Sequence, residues 1–153
     1  MSRKVKIYIR SILIPLVLGA AVGLLTRGSE DFGALTKPAL APPAWLFPVV
    51  WSILYVLMGI SYARLEEDRL NDTPAKAVYY AQLIVNLLWP IAFFSLEWRL
   101  FALIWIILLL ILVIAMIVIF YRRDKTAGLL QIPYLIWVGF ATYLNLGFYL
   151  LNR

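Results

Sequence analysis

Five long apolar stretches make up most of this sequence. They cover residues 7–25, 44–62, 77–96, 100–121 and 129–151. A helix needs about 20 consecutive apolar residues to cross the hydrocarbon core of a bilayer. Every Asp, Glu and Lys lies outside the five stretches, and Arg10 is the one arginine inside them. We therefore predict an all-α integral membrane protein, with residues 1–153 forming a single bundle of five transmembrane helices.

The composition excludes several classes of protein. Charged residues are 14% of the chain and hydrophobic residues 64%, whereas charged residues are about 25% of an average soluble domain. The chain has no Cys and no His, so disulfides, thiolate nucleophiles and Cys- or His-based metal sites are excluded. We expect no metal, no required cofactor, no conventional catalytic residues and no nucleic-acid partner.

Lysine and arginine predict the orientation in the membrane. Ten of them lie on the side of the N-terminus and four on the other side, and cytoplasmic loops carry the excess of these residues. We predict a bacterial plasma-membrane protein with its N-terminus in the cytoplasm and its C-terminus outside. A cleavable signal peptide is the alternative for the first stretch, although Tyr8 and Arg10 fit such a peptide poorly.

The connections between the stretches differ in character. Residues 97–99 are a tight turn, which predicts an antiparallel hairpin of the third and fourth helices. The first connection is long for a helix bundle. There Ser29-Glu30-Asp31 predicts the start of a short helix, and the prolines at 38, 42 and 43 interrupt any helix. This loop is either a lid over one mouth of the bundle or a passive connector. The fourth stretch, mostly Leu, Ile and Val, is expected to face lipid.

Aromatic and amide side chains recur on one face of three predicted helices. A buried amide in lipid needs a hydrogen-bond partner, so we expect these faces to point inward. An interior pocket walled by rings, with a few polar groups, suits a flat and largely apolar ligand. Simple helix packing explains the same spacing equally well. The residues on these faces are Trp51 and Tyr55; Gln82, Asn86, Trp89 and Phe93; and Tyr134, Trp137, Ala141 and Asn145.

Two further signals concern backbone geometry. Pro90 follows Trp89 and leaves the carbonyl of Asn86 without its helical donor, which predicts a kink that widens the bundle. Gly19 and Gly23 form a G-x-x-x-G pattern that lets another helix approach closely. We interpret it as packing inside the bundle, with a dimer contact as the alternative.

Several short motifs resemble those of the translocator protein family, also called tryptophan-rich sensory proteins or peripheral-type benzodiazepine receptors. Residues 37–45, KPALAPPAW, look like the K-P-x-W-x-P-P-x-W stretch of that family, which continues through residues 47–55. Residues 86–90, 133–137 and 140–145 match its patterns in helices three and five. The first Trp of the loop motif is Leu40 here, so we expect altered ligand affinity.

The resemblance implies a membrane receptor or carrier that binds tetrapyrroles such as protoporphyrin IX and haem, together with other flat lipophilic molecules, and has a role in porphyrin or stress regulation. The ligand cavity would lie under the first loop, between helices two, three and five. The resemblance therefore adds Pro42 and Trp45 to the expected site. Dimers are common in the family, so the resemblance makes a homodimer one possible state, and the sequence does not decide the oligomeric state.

Alternatives to simple binding remain open at this point. Some bacterial members of the family degrade protoporphyrin in light and oxygen, and tryptophans matching Trp51 and Trp137 are implicated. A scaffold or regulator with a vestigial ligand site is a further alternative. The family's C-terminal sterol motif is formally matched by Leu146, Tyr149 and Arg153, although an interfacial tyrosine beside a terminal arginine explains that pattern equally well.

Overall fold

The computed structural model describes residues 1–27 and 34–153, and the regular elements within these ranges are helices. Five helical spans are long and apolar enough to cross a membrane, and the fifth combines a short helix with a long one. The all-α prediction is confirmed, and the chain is an integral membrane protein. The helices are α1 (Arg3–Thr26), α2 (Leu46–Glu67), α3 (Thr73–Pro90), α4 (Arg99–Arg123), α5 (Lys125–Leu129) and α6 (Ile132–Leu151).

Three of the helices begin at side-chain caps. The side chain of Ser2 accepts a hydrogen bond from the backbone N–H of Val5, at 3.3 Å, at the start of α1. Asp72 accepts from Ala75 before α3, and Asp124 accepts from Thr126 before α5. Such caps satisfy backbone donors that have no partner inside the helix. They explain why these helices start in charged segments, outside the apolar stretches.

The end of α3 takes an unusual backbone form. After Pro90 the helix widens into a π-helical turn over Ile91–Ser95, where Leu96 N–H donates to the carbonyl of Ile91 at 2.9 Å. Glu97 then adopts a left-handed backbone with φ 54°. The predicted widening beyond Trp89 is thus a π-helical turn, because Pro90 cannot donate the α-helical hydrogen bond. The predicted tight turn into α4 is confirmed.

Glycines set the close packing of α1 on α2. A Cβ at Gly59 would lie 2.5 Å from the Cα of Ile12 and from the carbonyl oxygen of Ser11. A Cβ at Gly19 would lie 2.2 Å from the ring of Tyr55, whereas one at Gly23 would have no neighbour within 4 Å. The interpretation of the glycine pattern as packing inside the bundle is confirmed for Gly19.

Helix α4 has two different faces. One face is exposed and lies toward lipid, as expected. The other packs against α3 and α6, so the expectation that the whole helix faces lipid is wrong for this side. Both faces are largely apolar, and the sequence therefore offers little contrast between them. The buried residues are Ala102, Ile106, Leu109, Val113, Met116 and Phe120.

Charged residues gather at one end of the bundle, which we call the basic end. The start of α1, the end of α2, the start of α3 and the end of α4 meet there through ion pairs. At the opposite end, Asn152 hydrogen-bonds to Thr36 in the first loop. This arrangement groups the loops as the charge count predicted, while the side of the membrane on which each end lies stays a prediction. The ion pairs are Lys4–Glu67, Arg10–Glu66, Arg64–Asp124 and Arg123–Asp72.

Candidate functional site

A chain of hydrogen bonds crosses the middle of the bundle. The hydroxyl of Tyr55 donates to Oδ1 of Asn86 at 2.7 Å, and Nδ2 of Asn86 donates to the hydroxyl of Tyr134 at 2.6 Å. The Tyr134 hydroxyl donates in turn to Oε1 of Gln82 at 2.8 Å. All four side chains are buried. The structure therefore brings together polar residues of α2, α3 and α6 that the sequence placed on separate helix faces.

Aromatic rings lie beside this chain and bridge α2 and α6. Trp51 stacks on Tyr55 with ring centroids 5.7 Å apart, and it meets Tyr134 and Trp137 edge-on at 6.2 and 6.4 Å. Phe47 contacts Trp137 at 5.8 Å. We call Phe47, Trp51, Tyr55, Tyr134 and Trp137 the aromatic seam. The backbones of α2 and α6 hardly approach each other, and these rings bridge the two helices.

A groove of about 420 Å³ runs along the aromatic seam on the outer flank of the bundle. Apolar side chains of both helices line it, among them Ile53, Ile136 and Trp137. Ile53 and Ile136 are also exposed, so in a membrane the groove faces the acyl chains. The indole Nε1 of Trp137 is buried and has no hydrogen-bond partner among the described residues. The groove thus borders a ring that retains an unused hydrogen-bond donor.

A second cluster lies farther from the basic end. Nε1 of Trp89 donates to Oδ1 of Asn145 at 2.9 Å, and Asn145 donates to the carbonyl of Arg99 at 3.3 Å. Trp89 stacks on Phe93 at 5.1 Å. Together with Ala141 these residues border a cavity of about 20 Å³, which is roughly the space of one water molecule.

The predicted faces therefore converge, but they do not enclose a large interior space in this structure. The amides pair with phenol and indole groups from neighbouring helices, and the rings fill the volume between them. The groove along α2 and α6 offers about twenty times the volume of the interior cavity. Space for a ligand is thus present on the flank, next to Trp137.

The first loop is anchored on α6 where the structure describes it. The Asn152 side chain accepts from the backbone N–H of Thr36 and donates to its carbonyl, both at 2.9 Å. The hydroxyl of Tyr143 donates to the carbonyl of Ala39 at 2.6 Å. A Cβ at Gly147 would lie 2.4 Å from Pro38. The loop therefore rests against the C-terminal half of α6.

The loop residues of the expected site precede α2. Pro42 is half-buried, and Trp45 is 67% exposed at the start of α2. Leu40 is 82% exposed and has a left-handed backbone with φ 68°. The helix start predicted at Ser29-Glu30-Asp31 falls outside the described residues.

The three residues of the formal sterol motif lie at the end of α6. Leu146 is exposed, Tyr149 is half-buried, and Arg153 lies beyond the last helical residue, Leu151. This placement suits an interfacial tyrosine and arginine. Sterol recognition by these residues stays a prediction.

Several contact residues were absent from the sequence-based set. Phe47 lies one helical turn before Trp51, and Phe148 lies three residues after Asn145. Extending the two predicted faces by one turn would have found both. The loop anchors Tyr143 and Asn152 carried no such signal, because their partners are backbone atoms of the loop.

The chemistry available at the site is stacking and hydrogen bonding. Indole, phenol and carboxamide groups dominate it, and ionised side chains lie at the ends of the helices. Among residues 1–27 and 34–153, no cluster of three acidic, His or Cys side chains is arranged to hold a metal ion. The arrangement is typical of a site that recognises a flat apolar molecule by its faces and a few polar edges.

Comparison with known proteins agrees with these features. The chain is 43% identical to the tryptophan-rich protein TspO of Archaeoglobus fulgidus over 147 residues, which cover 94% of this chain and 95% of that protein. It is 34% identical to the translocator protein homolog of Schizosaccharomyces pombe, over 92% and 88% of the two chains. It is 36% identical to the human translocator protein, over 78% and 73%. The TspO/MBR family pattern matches residues 11–150, and the chain belongs to this family.

Proposed function

We propose that this protein is a membrane receptor or carrier for tetrapyrroles and other flat lipophilic molecules. The observation that carries the proposal is the aromatic seam, in which rings of α2 and α6 meet while the two backbones stay apart. A contact made of ring faces and edges is one that a flat ring system can enter and replace. Membership of the TspO/MBR family supports the same class of ligand.

The groove beside Trp137 gives the ligand its route of approach. A lipophilic molecule dissolved in the bilayer reaches the groove between α2 and α6 from the side. It then stacks on Trp51 and Trp137, and aromatic pairs of this kind contribute about 0.5–1.5 kcal/mol each beyond the area that they bury. The unpaired indole N–H of Trp137 supplies a donor for a ring nitrogen or carbonyl. Asn86 and Asn145 orient the ligand after exchanging their present partners.

Acidic groups on the ligand would point toward the end of the bundle opposite the basic end. Ring propionates carry negative charge, and Arg27 and Lys37 are exposed at that end. Electrostatic attraction there complements the stacking deeper in the bundle.

A thermal-shift screen tests the proposal. The purified protein in lipid nanodiscs is heated with protoporphyrin IX, haem, a sterol or an isoquinoline carboxamide. We expect saturable stabilisation by the porphyrin, since a ligand at one hundred times its Kd stabilises the folded state by about 2.7 kcal/mol. An unchanged Tm with every compound, together with a stable protein partner recovered from membranes, would favour a scaffold instead.

A second function, light-dependent degradation of protoporphyrin, is favoured by the contact between Trp51 and Trp137. The two indoles meet edge-on at 6.4 Å, and an indole next to an excited porphyrin is an electron donor. Dioxygen would be the oxidant. Illumination of the bound porphyrin in air should produce a bilin-like absorbance band that Trp51→Phe weakens. The same band from free porphyrin in detergent would refute this second function.

A further inference from the structure

The fifth span is interrupted inside the bundle. It runs over Lys125–Leu151, yet α5 ends at Leu129 and α6 begins at Ile132. Gln131 lies at the interruption, about 10 Å along the chain from Asp124 at roughly 1.5 Å per residue. Non-helical backbone at membrane depth is tolerated where protein buries it or where it lines a hydrated space. The interruption is therefore a place to look for a polar ligand.

The side chain of Gln131 is fully buried and lacks a partner. Its exposed fraction is 0%, and neither Nε2 nor Oε1 has a hydrogen-bond partner within the described part of the chain. Gln131 occupies the N-cap position of α6, but its side chain makes no capping hydrogen bond. The positive end of the α6 dipole and a carboxamide thus share one buried location. A buried carboxamide costs free energy unless a hydrogen-bond partner reaches it.

Tyr79 brings a second unpartnered polar group to the same level of the bundle. It is buried, and its hydroxyl has no hydrogen-bond partner among the described residues. The side chains of Gln82 and Tyr134 are hydrogen-bonded at 2.8 Å. Tyr79 lies three residues before Gln82, and Gln131 lies three residues before Tyr134. Successive spans alternate in direction, so α3 and α6 run parallel. The step from Gln82 back to Tyr79 and the step from Tyr134 back to Gln131 therefore both lead toward the basic end.

The carboxamide of Gln82 is a third polar group close to this level of the bundle. Its Nε2 donates to Sδ of Met58 at 3.4 Å, and a thioether sulfur is a weak acceptor. The hydrogen-bonded chain that starts at Tyr55 thus ends on an amide with remaining capacity to donate. This end of the chain is the one nearest to Tyr79 and Gln131 along the two helices.

We propose that the interruption of the fifth span is a buried water-binding site, formed by the carboxamide of Gln131, the hydroxyl of Tyr79 and the carboxamide of Gln82. Buried water needs two to four polar partners, and these three groups provide both hydrogen-bond donors and hydrogen-bond acceptors. The guanidinium of Arg64, at the basic end, is paired with Asp124 at 2.7 Å, so the charge balance favours a neutral ligand. The water fixes the orientation of the Gln82 carboxamide and, through it, the direction of the chain to Asn86.

The direct test is a high-resolution structure of the full protein in lipid, with bromide as the only added halide. We expect an ordered water within about 2.7–3.2 Å of the Tyr79 hydroxyl and of the Gln131 carboxamide. A direct hydrogen bond between these two side chains would overturn the proposal. So would a site without ordered solvent, or an anomalous bromide peak at the interruption.

Thermal unfolding of variants gives an independent test. Tyr79→Phe and Gln131→Leu each remove one group that binds the water, and each should lower the Tm. The double variant should lower it by less than the sum of the two shifts, because the water is lost only once. Tyr121→Phe, at an exposed tyrosine of α4, is the control and should leave the Tm unchanged. Additive shifts, or single variants with a raised Tm, would contradict a bound water.

Discussion

A single residue, Gly59 on α2, sets how closely α1 and α2 pack. Replacing Gly59 by alanine would place a Cβ 2.5 Å from backbone atoms of Ser11 and Ile12. Backbone cannot yield as a side chain does, so we expect Gly59→Ala to destabilise the fold by about 1–3 kcal/mol, the usual range for overpacking. Reversible unfolding in mixed micelles measures the change.

The matched control is Gly139→Ala on α6, where an added Cβ would have no neighbour within 4 Å. This change should be neutral or slightly stabilising, because alanine has the higher helix propensity. Equal effects at both positions would show that helix propensity, and not the contact with α1, decides the outcome.

The central hydrogen-bonded chain gives a second prediction at this scale. Tyr55→Phe removes the donor to Asn86 Oδ1, and Asn86→Leu removes the acceptor. Hydrogen bonds between membrane helices contribute about 0.6 kcal/mol on average and up to roughly 1.7. We expect Tyr55→Phe to cost an amount in this range, with a double-mutant cycle showing positive coupling to Asn86. Strictly additive losses would mean that the contact contributes nothing to stability.

The sequence was sufficient to predict the inward direction of side chains that cannot be left unpaired in lipid. Asn86 and Gln82 lie in apolar stretches, and a carboxamide in lipid must pair inside the protein, so their inward direction was predictable. Sequence reasoning could not show that tyrosine hydroxyls would hydrogen-bond to these amides and that the tyrosine rings would fill the interior. Which hydrogen-bond partner each amide finds depends on how three helices are rotated about their axes. The spacing of residues along one helix does not reveal these rotations.

Among the elements, the Asn152 amide makes two of the hydrogen bonds that hold the described part of the first loop to the end of α6, and Tyr143 makes another. Asn152 uses both of its side-chain groups on Thr36. We expect Asn152→Ala to increase hydrogen–deuterium exchange in residues 34–41 and to accelerate ligand dissociation. Asn152→Asp keeps the acceptor and loses the donor, so its effect should be intermediate. Unchanged exchange in Asn152→Ala would show that Tyr143 and Gly147 suffice to hold the loop.

Predictability also differed among the elements. The five spans follow from hydropathy because each must cover the same membrane thickness. The division of the fifth span into α5 and α6 was missed, although Gly128 and Pro133 flank the interruption. In lipid, both residues occur within continuous helices as well, so neither marks a break by itself. The buried face of α4 was missed because lipid and protein interior favour the same aliphatic side chains.

Considering the molecule as a whole, ion pairs between helix ends hold the basic end together. The hydrogen bond from Arg123 lowers the pKa of Asp72. Burial raises the pKa of Asp124, but hydrogen bonds from Arg64 and the Thr126 backbone outweigh it, and the net shift is downward. A carboxyl whose pKa is lowered on folding stabilises the protein above its ordinary pKa, and this stabilisation is lost as the pH falls through the folded-state pKa.

We therefore expect a loss of stability on acidification below about pH 3.8, the ordinary value for Asp. The Asp72→Asn/Asp124→Asn variant should be less stable at neutral pH and lose less on acidification. Asparagine preserves the helix caps, so the comparison isolates the charges. Identical pH profiles of Tm for the variant and the wild type would contradict this account.

A porphyrin titration of variants in nanodiscs shows whether the aromatic seam between α2 and α6 binds the ligand. We expect Trp51→Phe/Trp137→Phe to weaken protoporphyrin binding at least about tenfold, since tenfold corresponds to about 1.4 kcal/mol and two ring contacts are altered. The control is Trp98→Phe, an exposed ring at the turn before α4, which should bind like the wild type. Equal affinity in all three proteins would place the ligand outside the aromatic seam.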